Sequence, residues 1–520
     1  MNCYLSSCGL GLMLLLGIFP VWLGAEQTRK ELLKPTPAHP LEELYPEWAP
    51  AESVWMSLPL FVVREDAEKR AYFLEVLRLL APRLPVYILY NEDQENALLE
   101  WELEVKADPV LSALPEGQLD YVPSTVQSEW LRDFGPLFGR GKSGELVLLD
   151  HGYRGLGHLK KLWQLELEAY FKLDEDTFER RQRESQLLNF LDDITPNFMA
   201  SAMARRGREV ELVKPPLFLS TGDFGTDGRG RVFITEDTLV ENGGSRAGLR
   251  QAFKEYYNAE ELHVLFATPG RSTRHLDMIF KLAGPDRVLL ASPPPANGTP
   301  VTAQQSRLLR ELNRSLEANR LYLERRLPDL EVFTLPLAPM ILASREQIER
   351  EIREDVMDAA GARAGLDMPR VRTADPGSRL AREAAMLIRE QMMKDLNLRS
   401  LEGNEWLEEA TLFYLDRELD RLVAGFVEER VFLRTYLNSL HLRLKNGEEL
   451  VLIPRYRARE GEDPQLFADL ESEVLEVYRE AYPGAELHWV DSDAVIQYMG
   501  SVHCTTIVEP AGERESLAVN

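Results

Sequence analysis

The sequence predicts a pseudo-symmetric α/β assembly, on three observations. Short turn-then-strand units recur along the chain, amphipathic helical patterns lie between them, and their spacing is irregular rather than that of a short tandem repeat. The units are Gly141-Lys-Ser-Gly-Glu-Leu-Val-Leu-Leu-Asp150, Gly228-Arg-Gly-Arg-Val-Phe-Ile-Thr235, Gly284-Pro-Asp-Arg-Val-Leu-Leu-Ala291 and Lys445-Asn-Gly-Glu-Glu-Leu-Val-Leu-Ile-Pro454. Each sets Gly, Asp or Asn turn chemistry before a compact apolar run of strand length. Helical periodicity marks Ala67 to Leu80, Ser306 to Leu327 and Asp463 to Ala481. A Rossmann-like sheet also fits these strands, yet no Gly-rich strand-to-helix turn supports a dinucleotide site.

Ahead of the strands, residues 1–25 read as a secretory signal: a polar start, an apolar run from Leu10 to Leu23, and a small-residue end at Gly24-Ala25. No Lys or Arg precedes the run and Pro20 interrupts it, so an uncleaved anchor is the competing reading. Export, periplasmic or secreted, is the expectation, with no membrane association once the signal is cut. Residues 26–45, polar and proline-bearing, read as a linker. Residues 46–520 then form a single domain with helical insertions at about 158–210 and 341–430, both rich in Glu, Arg, Leu and Ala. Within the second, Arg345 to Ala359, Leu380 to Leu396 and Leu407 to Glu428 read as charged amphipathic helices.

The chain of 520 residues carries a net charge of −25, which argues against nucleic acid as a partner. An acidic surface suits a cationic ligand and equally serves solubility. Only three cysteines occur, and Cys3 and Cys8 fall in the expected signal. Cys504 is left as the one thiol of the mature chain, either a buried small apolar residue or a nucleophile. At this length a core forms without disulfides.

Four strings carry candidate chemistry. In Trp130-Leu-Arg-Asp-Phe-Gly-Pro136, the Gly-Pro ends a strand or opens a turn and presents Asp133 at a strand end, with Arg132 beside it. Within Arg274-His-Leu-Asp-Met-Ile-Phe280, a strand would put His275 and Asp277 on one face and Leu276, Met278 and Phe280 on the other. A His beside a carboxylate can shuttle protons and hold a cation; His-x-Asp is also half of a metal site. In Val502-His-Cys504, alternation turns His503 away from Cys504, so that it packs or bonds behind the site. Arg434-Thr-Tyr-Leu-Asn438 supplies Asn438 shortly before a strand, as a polar group or a turn residue. A metal-dependent hydrolase built on His275, Asp277, His503 and Cys504 lacks the usual closely spaced ligand pairs.

Taken in order with Ser220-Thr-Gly-Asp-Phe-Gly-Thr-Asp-Gly-Arg-Gly230, these strings resemble the bacterial-type peptidylarginine deiminase and agmatine deiminase family, of the wider guanidine-modifying superfamily. The resemblance spans roughly residues 45–340 and 431–510. It implies a five-bladed, pentein-like α/β propeller with the site along its axis. It also implies hydrolysis of a guanidinium to a ureido group with release of ammonia, with no cofactor or metal. Position by position, Cys504 matches the nucleophile, His275 the general acid/base, and Asp133 and Asp277 the guanidinium-binding carboxylates. Trp130 falls where the family lines its side-chain tunnel, and Asn438 where it makes a secondary polar contact. The physical logic concurs, because a planar, permanently charged fork of N–H donors suits two carboxylates and leaves its carbon open to a thiolate.

Two departures bear on substrate. The family often carries Glu-Gly-Gly-Asn or Thr-Gly-Gly-Asn where this chain has Ser220-Thr-Gly-Asp223, which makes Asp223 a candidate specificity residue. After Asp150, His151-Gly-Tyr-Arg-Gly-Leu-Gly157 matches neither the Arg-rich turn of the peptidylarginine type nor the aromatic-Asn sequence of agmatine deiminases. Arg154 there is a candidate carboxylate holder or a surface residue. The expected substrate is peptidyl-arginine, arginine or agmatine. An amidinotransferase on the same fold and a non-catalytic exported binding module are the alternatives.

Overall fold

The computed structural model describes residues 35–59, 66–91, 95–153, 192–269, 273–295, 303–342, 364–366, 371, 378–395 and 431–512. The expected signal, Arg154, and the helical patterns Arg345 to Ala359 and Leu407 to Glu428 lie outside them. Among the described residues no helix is long and apolar enough to cross a membrane.

Among the described residues one unit recurs five times: an antiparallel strand pair, a helical crossover, and a third strand parallel to the second. A short strand β1 (Leu41–Leu44) and the long β2 (Pro50–Ser57), β3 (Val86–Asn91) and β4 (Leu119–Ser124) begin the chain's sheets. The first complete unit is β5 (Leu137–Gly141) and β6 (Leu146–Leu149), then helix Thr195–Arg205, then β7 (Val210–Val213). The next is β8 (Gly225–Thr226) and β9 (Arg231–Thr235), crossing through helix Arg246–Tyr257 to β10 (Glu261–Leu265). A third joins β11 (Phe280–Leu282) and β12 (Arg287–Ser292), through helix Ala303–Arg326, to β13 (Glu331–Pro336). After the small pair β14 (Ile341–Leu342) and β15 (Val431–Phe432), the fourth runs from β16 (Leu440–Leu444) and β17 (Glu449–Arg455) through helix Pro464–Ala481 to β18 (Glu486–Asp491). The fifth is closed by the chain's two ends: β19 (Thr506–Pro510) is antiparallel to β2, which continues through helix Ala67–Leu80 to parallel β3.

The four turn-then-strand strings of the sequence become β6, β9, β12 and β17, the middle strand of their units. Such a strand has a neighbour on either side and reads as unbroken apolar sequence. Val147, Phe233, Leu289 and Val451 are accordingly fully buried. The helices begin where local chemistry allows: Asp66 accepts from the backbone N–H of Glu68 and Lys69, and Asp463 caps a helix whose first residue is Pro464. Each buried Leu, Val or Phe contributes roughly 1.5–3 kcal/mol by leaving water, so every crossover helix is held through its apolar stripe. Phe73, Val76, Leu77 and Leu80 make that stripe on the first helix, and Phe467, Leu470, Val474 and Tyr478 on the last.

Two boundaries move. Residues 35–45, expected in a linker, belong to the body: Leu41 and Leu44 are buried and β1 pairs antiparallel with β5. Two apolar anchors among polar residues suffice for an edge strand. The insertion expected at 158–210 ends sooner, since helix Thr195–Arg205 is the crossover of a regular unit and buries Met199, Ala202 and Met203. In the second insertion, helix Arg379–Asp395 falls within one residue of the sequence reading, and the pairing of Ile341–Leu342 with Val431–Phe432 brings its two flanks together.

Candidate active site

All the singled-out strings occupy one topological position, immediately before the first strand of a unit. Trp130–Pro136 precedes β5, Ser220–Phe224 precedes β8, His275–Ile279 precedes β11, Arg434–Ser439 precedes β16, and Gly500–Thr505 precedes β19. Each unit thus delivers one loop to a common centre.

The loops are turns rather than strand ends. Asp133 lies on a one-turn helix, Leu131–Phe134, two residues ahead of Gly135-Pro136 and β5, and not at a strand end as expected. His275 and Asp277 are not alternating strand residues: His275 precedes a 3-10 turn, Leu276–Met278, and β11 starts only at Phe280. Their shared direction therefore comes from a tight turn, and Leu276, Met278 and Phe280 still pack into the core. Residues 502–505 likewise form a turn, so strand alternation is not what separates His503 from Cys504. His503 does bond behind the thiol, with Nδ1 2.7 Å from Asp277 Oδ2 and Nε2 2.5 Å from Glu47 Oε1.

Four groups from three parts of the chain meet. Cys504 Sγ lies 3.4 Å from Asp277 Oδ2, and His275 Nδ1 lies 3.4 Å from Asp133 Oδ1. Gly222 stands between them: a Cβ there would be 3.0 Å from His275 Nδ1 and 3.4 Å from both Asp133 Oδ1 and Asp277 Oδ2. Any side chain at this position would crowd all three groups. His275 Nδ1 and Asp277 Oδ1 are buried without a hydrogen-bond partner, an arrangement rare unless a ligand completes it.

The charges are coupled. Burial pushes the Asp133 carboxyl up to about 6, with the Asp277 charge adding and His275 opposing. Burial also works against a charged His275, yet Asp133, Asp277 and Asp223 together lift its pKa above the usual value. Asp277 is desolvated too, but the His503 hydrogen bond and charge hold it below the usual carboxylate range. Burial, then the negative charges of Asp277 and Asp133, drive the Cys504 thiol well above its ordinary value. A nucleophile so placed gains its charge only when a cation joins the two carboxylates.

Several expected ligand contacts turn out to be protein contacts. Asp223 is sealed in: its carboxylate accepts from the Thr235 N–H at 3.2 Å, the Leu276 N–H at 3.0 Å and the Thr235 hydroxyl at 2.9 Å, and from the Thr238 hydroxyl. It fixes the His275–Asp277 turn, and protein donors already occupy both its oxygens. Arg132 also turns inward, its Nε donating to Thr506 O at 3.0 Å while its backbone N–H donates to Cys504 O at 3.0 Å. Asn438 reaches the reactive atom itself. Its Nδ2 is 3.0 Å from Cys504 Sγ, and its Oδ1 accepts from the N–H groups of Ser501 (3.0 Å) and Cys504 (3.3 Å). Trp130 is half-buried and packs against Gly500, where a Cβ would come within 2.3 Å of its ring. Arg154 lies outside the described residues.

Sequence reasoning passed over Gly222, Ser220, Tyr153 and Glu47. Ser220 Oγ donates to Asp133 Oδ1 at 3.4 Å, and Tyr153 also hydrogen-bonds that carboxylate. The departure at Ser220-Thr-Gly-Asp223 was the one signal that could have drawn attention to Gly222 and Ser220. Nothing local marks Glu47.

Fold and site together define an α/β protein whose loops bring one thiol beside two carboxylates and an imidazole. The chain belongs to the Porphyromonas-type peptidyl-arginine deiminase family, whose model matches residues 43–510. A Streptomyces coelicolor protein provisionally called an agmatine deiminase is 22% identical over 262 residues, which cover 48% of this chain and 65% of that relative's length. Among solved structures, a C. jejuni agmatine deiminase superposes with a TM-score of 0.53 at 13% identity, over 91% of this chain and 97% of that one. A Porphyromonas gingivalis protein described as an arginine deiminase gives 0.52 at 16%, over 90% and 98%. An Enterococcus faecalis agmatine deiminase gives 0.52 at 16%, over 90% and 95%. At these identities the likeness is one of fold.

Proposed function

We propose that the chain is an arginine-type deiminase, a hydrolase that converts a guanidinium to a ureido group and releases ammonia. The observation that carries this reading is the convergence of Cys504, Asp277, His275 and Asp133 around Gly222. Asp133 and the unpartnered Oδ1 of Asp277 accept the N–H groups of the planar cation. That cation offsets the two negative charges that hold the thiol protonated; the thiol passes its proton to His275, and the Cys504 thiolate attacks the central carbon. A C–S bond forms, His275 gives its proton to the departing nitrogen, and the C–N bond breaks to release ammonia. His275 then takes a proton from water, whose oxygen adds to the amidino carbon. Breaking the C–S bond returns the thiolate and the ureido product. Asn438, with Nδ2 3.0 Å from Sγ, can donate to the sulfur whenever it is a thiolate, before attack and after the C–S bond breaks.

Finer features belong to the same proposal. The five units are blades of a pentein-type propeller with the site on its axis. The substrate is an arginine side chain of a peptide or protein, which the expected export favours over agmatine, and citrullination is the outcome. Cleavage near Ala25 releases the mature chain into the periplasm or medium. The test is incubation of the folded protein with an arginyl peptide, free arginine and agmatine, following ureido product and ammonia together. Turnover fastest on the peptide supports the proposal; turnover of agmatine alone replaces the substrate, and no turnover of any removes the deiminase reading.

A further inference from the structure

A second polar chain runs away from the thiol. His503 stands between two carboxylates, with Nδ1 2.7 Å from Asp277 Oδ2 and Nε2 2.5 Å from Glu47 Oε1. The other oxygen of Glu47 receives Lys281 Nζ at 2.5 Å. Two acceptors on one ring call for an N–H on each nitrogen, which only the charged imidazole has. The series Lys281, Glu47, His503, Asp277 therefore alternates in sign from end to end. Its members come from distant places: Glu47 from the stretch between β1 and β2, Lys281 from the centre of β11, His503 from the loop before β19. His503 is 2% exposed and the Lys281 side chain 4%, while Glu47, which joins them, is 31% exposed.

This chain ends on a carboxylate with two separate tasks. One oxygen of Asp277, Oδ2, faces His503, the thiol and Gly222; the other, Oδ1, is buried without a hydrogen-bond partner. A carboxylate pinned through one oxygen cannot swing about its Cβ–Cγ bond, so the free oxygen keeps a fixed aim. We propose that Glu47 and Lys281 are positioning residues that act through His503 to hold Asp277 in the orientation that captures the guanidinium. The inference rests on the deiminase reading and adds to it two residues that touch neither substrate nor thiol.

Glu47→Gln keeps the size of the side chain and removes the charge that His503 and Lys281 share. Lys281→Met removes the outer cation and Lys281→Arg restores it. With melting temperatures matching the parent, Glu47→Gln is expected to raise KM for the guanidinium substrate about tenfold while kcat changes no more than about threefold. Lys281→Met moves KM the same way by less, and Lys281→Arg returns it to within about twofold. A second readout needs no turnover: the rate of Cys504 alkylation by cationic 2-chloroacetamidine divided by that for neutral 2-chloroacetamide. Glu47→Gln is expected to lower this ratio about tenfold, whereas general damage to the site would slow both reagents alike. A parent-like ratio and KM in the folded variants, or an equal loss with both reagents, overturns the proposal. A parent protein that turns over no guanidinium and does not prefer the cationic reagent sinks the deiminase reading along with it; a parent that does both while the variants match it sinks the positioning role alone.

Discussion

Cys504 Sγ donates toward Asp277 Oδ2 across 3.4 Å, so the candidate nucleophile rests against a negative charge rather than a positive one. Reactive thiols ordinarily sit beside cations, which lower their pKa. Here burial and two aspartates push it up, and the cation has to arrive with the ligand.

The free protein should therefore discriminate between alkylating agents by charge. Neutral iodoacetamide is expected to label Cys504 at about pH 7 at least tenfold more slowly than it labels an ordinary exposed thiol. Haloacetamidines, whose amidinium can occupy the place of the substrate, should label it readily, and substrate should protect. Mass spectrometry of the Cys504 peptide over time measures both rates; fast labelling by the neutral reagent contradicts the protonated resting thiol.

Gly222→Ala tests the close approach at this glycine. The added methyl falls 3.0 Å from His275 Nδ1 and 3.4 Å from two carboxylates, tight enough that one of them must shift. A displacement of this kind costs about 10²-fold in kcat/KM. Gly222 lies outside the positive-φ region, so the backbone bears no added strain and the melting temperature should change little. Asp223→Ala should behave differently. It strips the acceptor from the Leu276 and Thr235 N–H groups, so stability falls with activity, by about 1–3 kcal/mol for each buried group left unpaired.

Asp133 sets a pH dependence of definite sign. Its carboxyl stands at about 6 in the fold, against about 3.9 when unfolded. The native protein holds a proton there that the unfolded chain has released, so this contribution to stability is complete below about pH 4 and is lost as pH rises through about 6. Asp223, pushed up to about 7 by burial, acts with the same sign. Activity runs the opposite way, because guanidinium capture needs the ionised form: kcat/KM should fall below about pH 6. Asp133→Asn is expected to remove turnover and, at about pH 8, to raise the unfolding free energy by roughly 1–3 kcal/mol. Denaturant melts across this pH range, beside the rate profile, check both signs.

Much of this was legible in the sequence because the five loops keep their chemistry in short strings. Trp130–Pro136 and Gly500–Thr506 name an acid and a thiol, and the apolar runs that became β6, β9, β12 and β17 are unmistakable middle strands. What stayed hidden was conformation and distance. His-x-Asp puts both side chains on one side in a strand, and the 3-10 turn at Leu276–Met278 achieves the same from different backbone angles, so spacing alone could not choose. Asp223 looked like a ligand residue because it stands where the family often carries an Asn. Only the fold reveals four protein donors already on it. Glu47 precedes His503 by 456 positions, and no local pattern announces that contact.

The most direct measurement compares wild-type protein with Cys504→Ser on the best of the three guanidinium substrates, counting ureido product and ammonia in the same reaction. The account predicts the two products in equal amounts from the wild type, and a loss of about 10⁴-fold or more in the folded variant, since the oxygen analogue is a far weaker nucleophile here. Undiminished turnover by Cys504→Ser, or ammonia released without a ureido product, would contradict it.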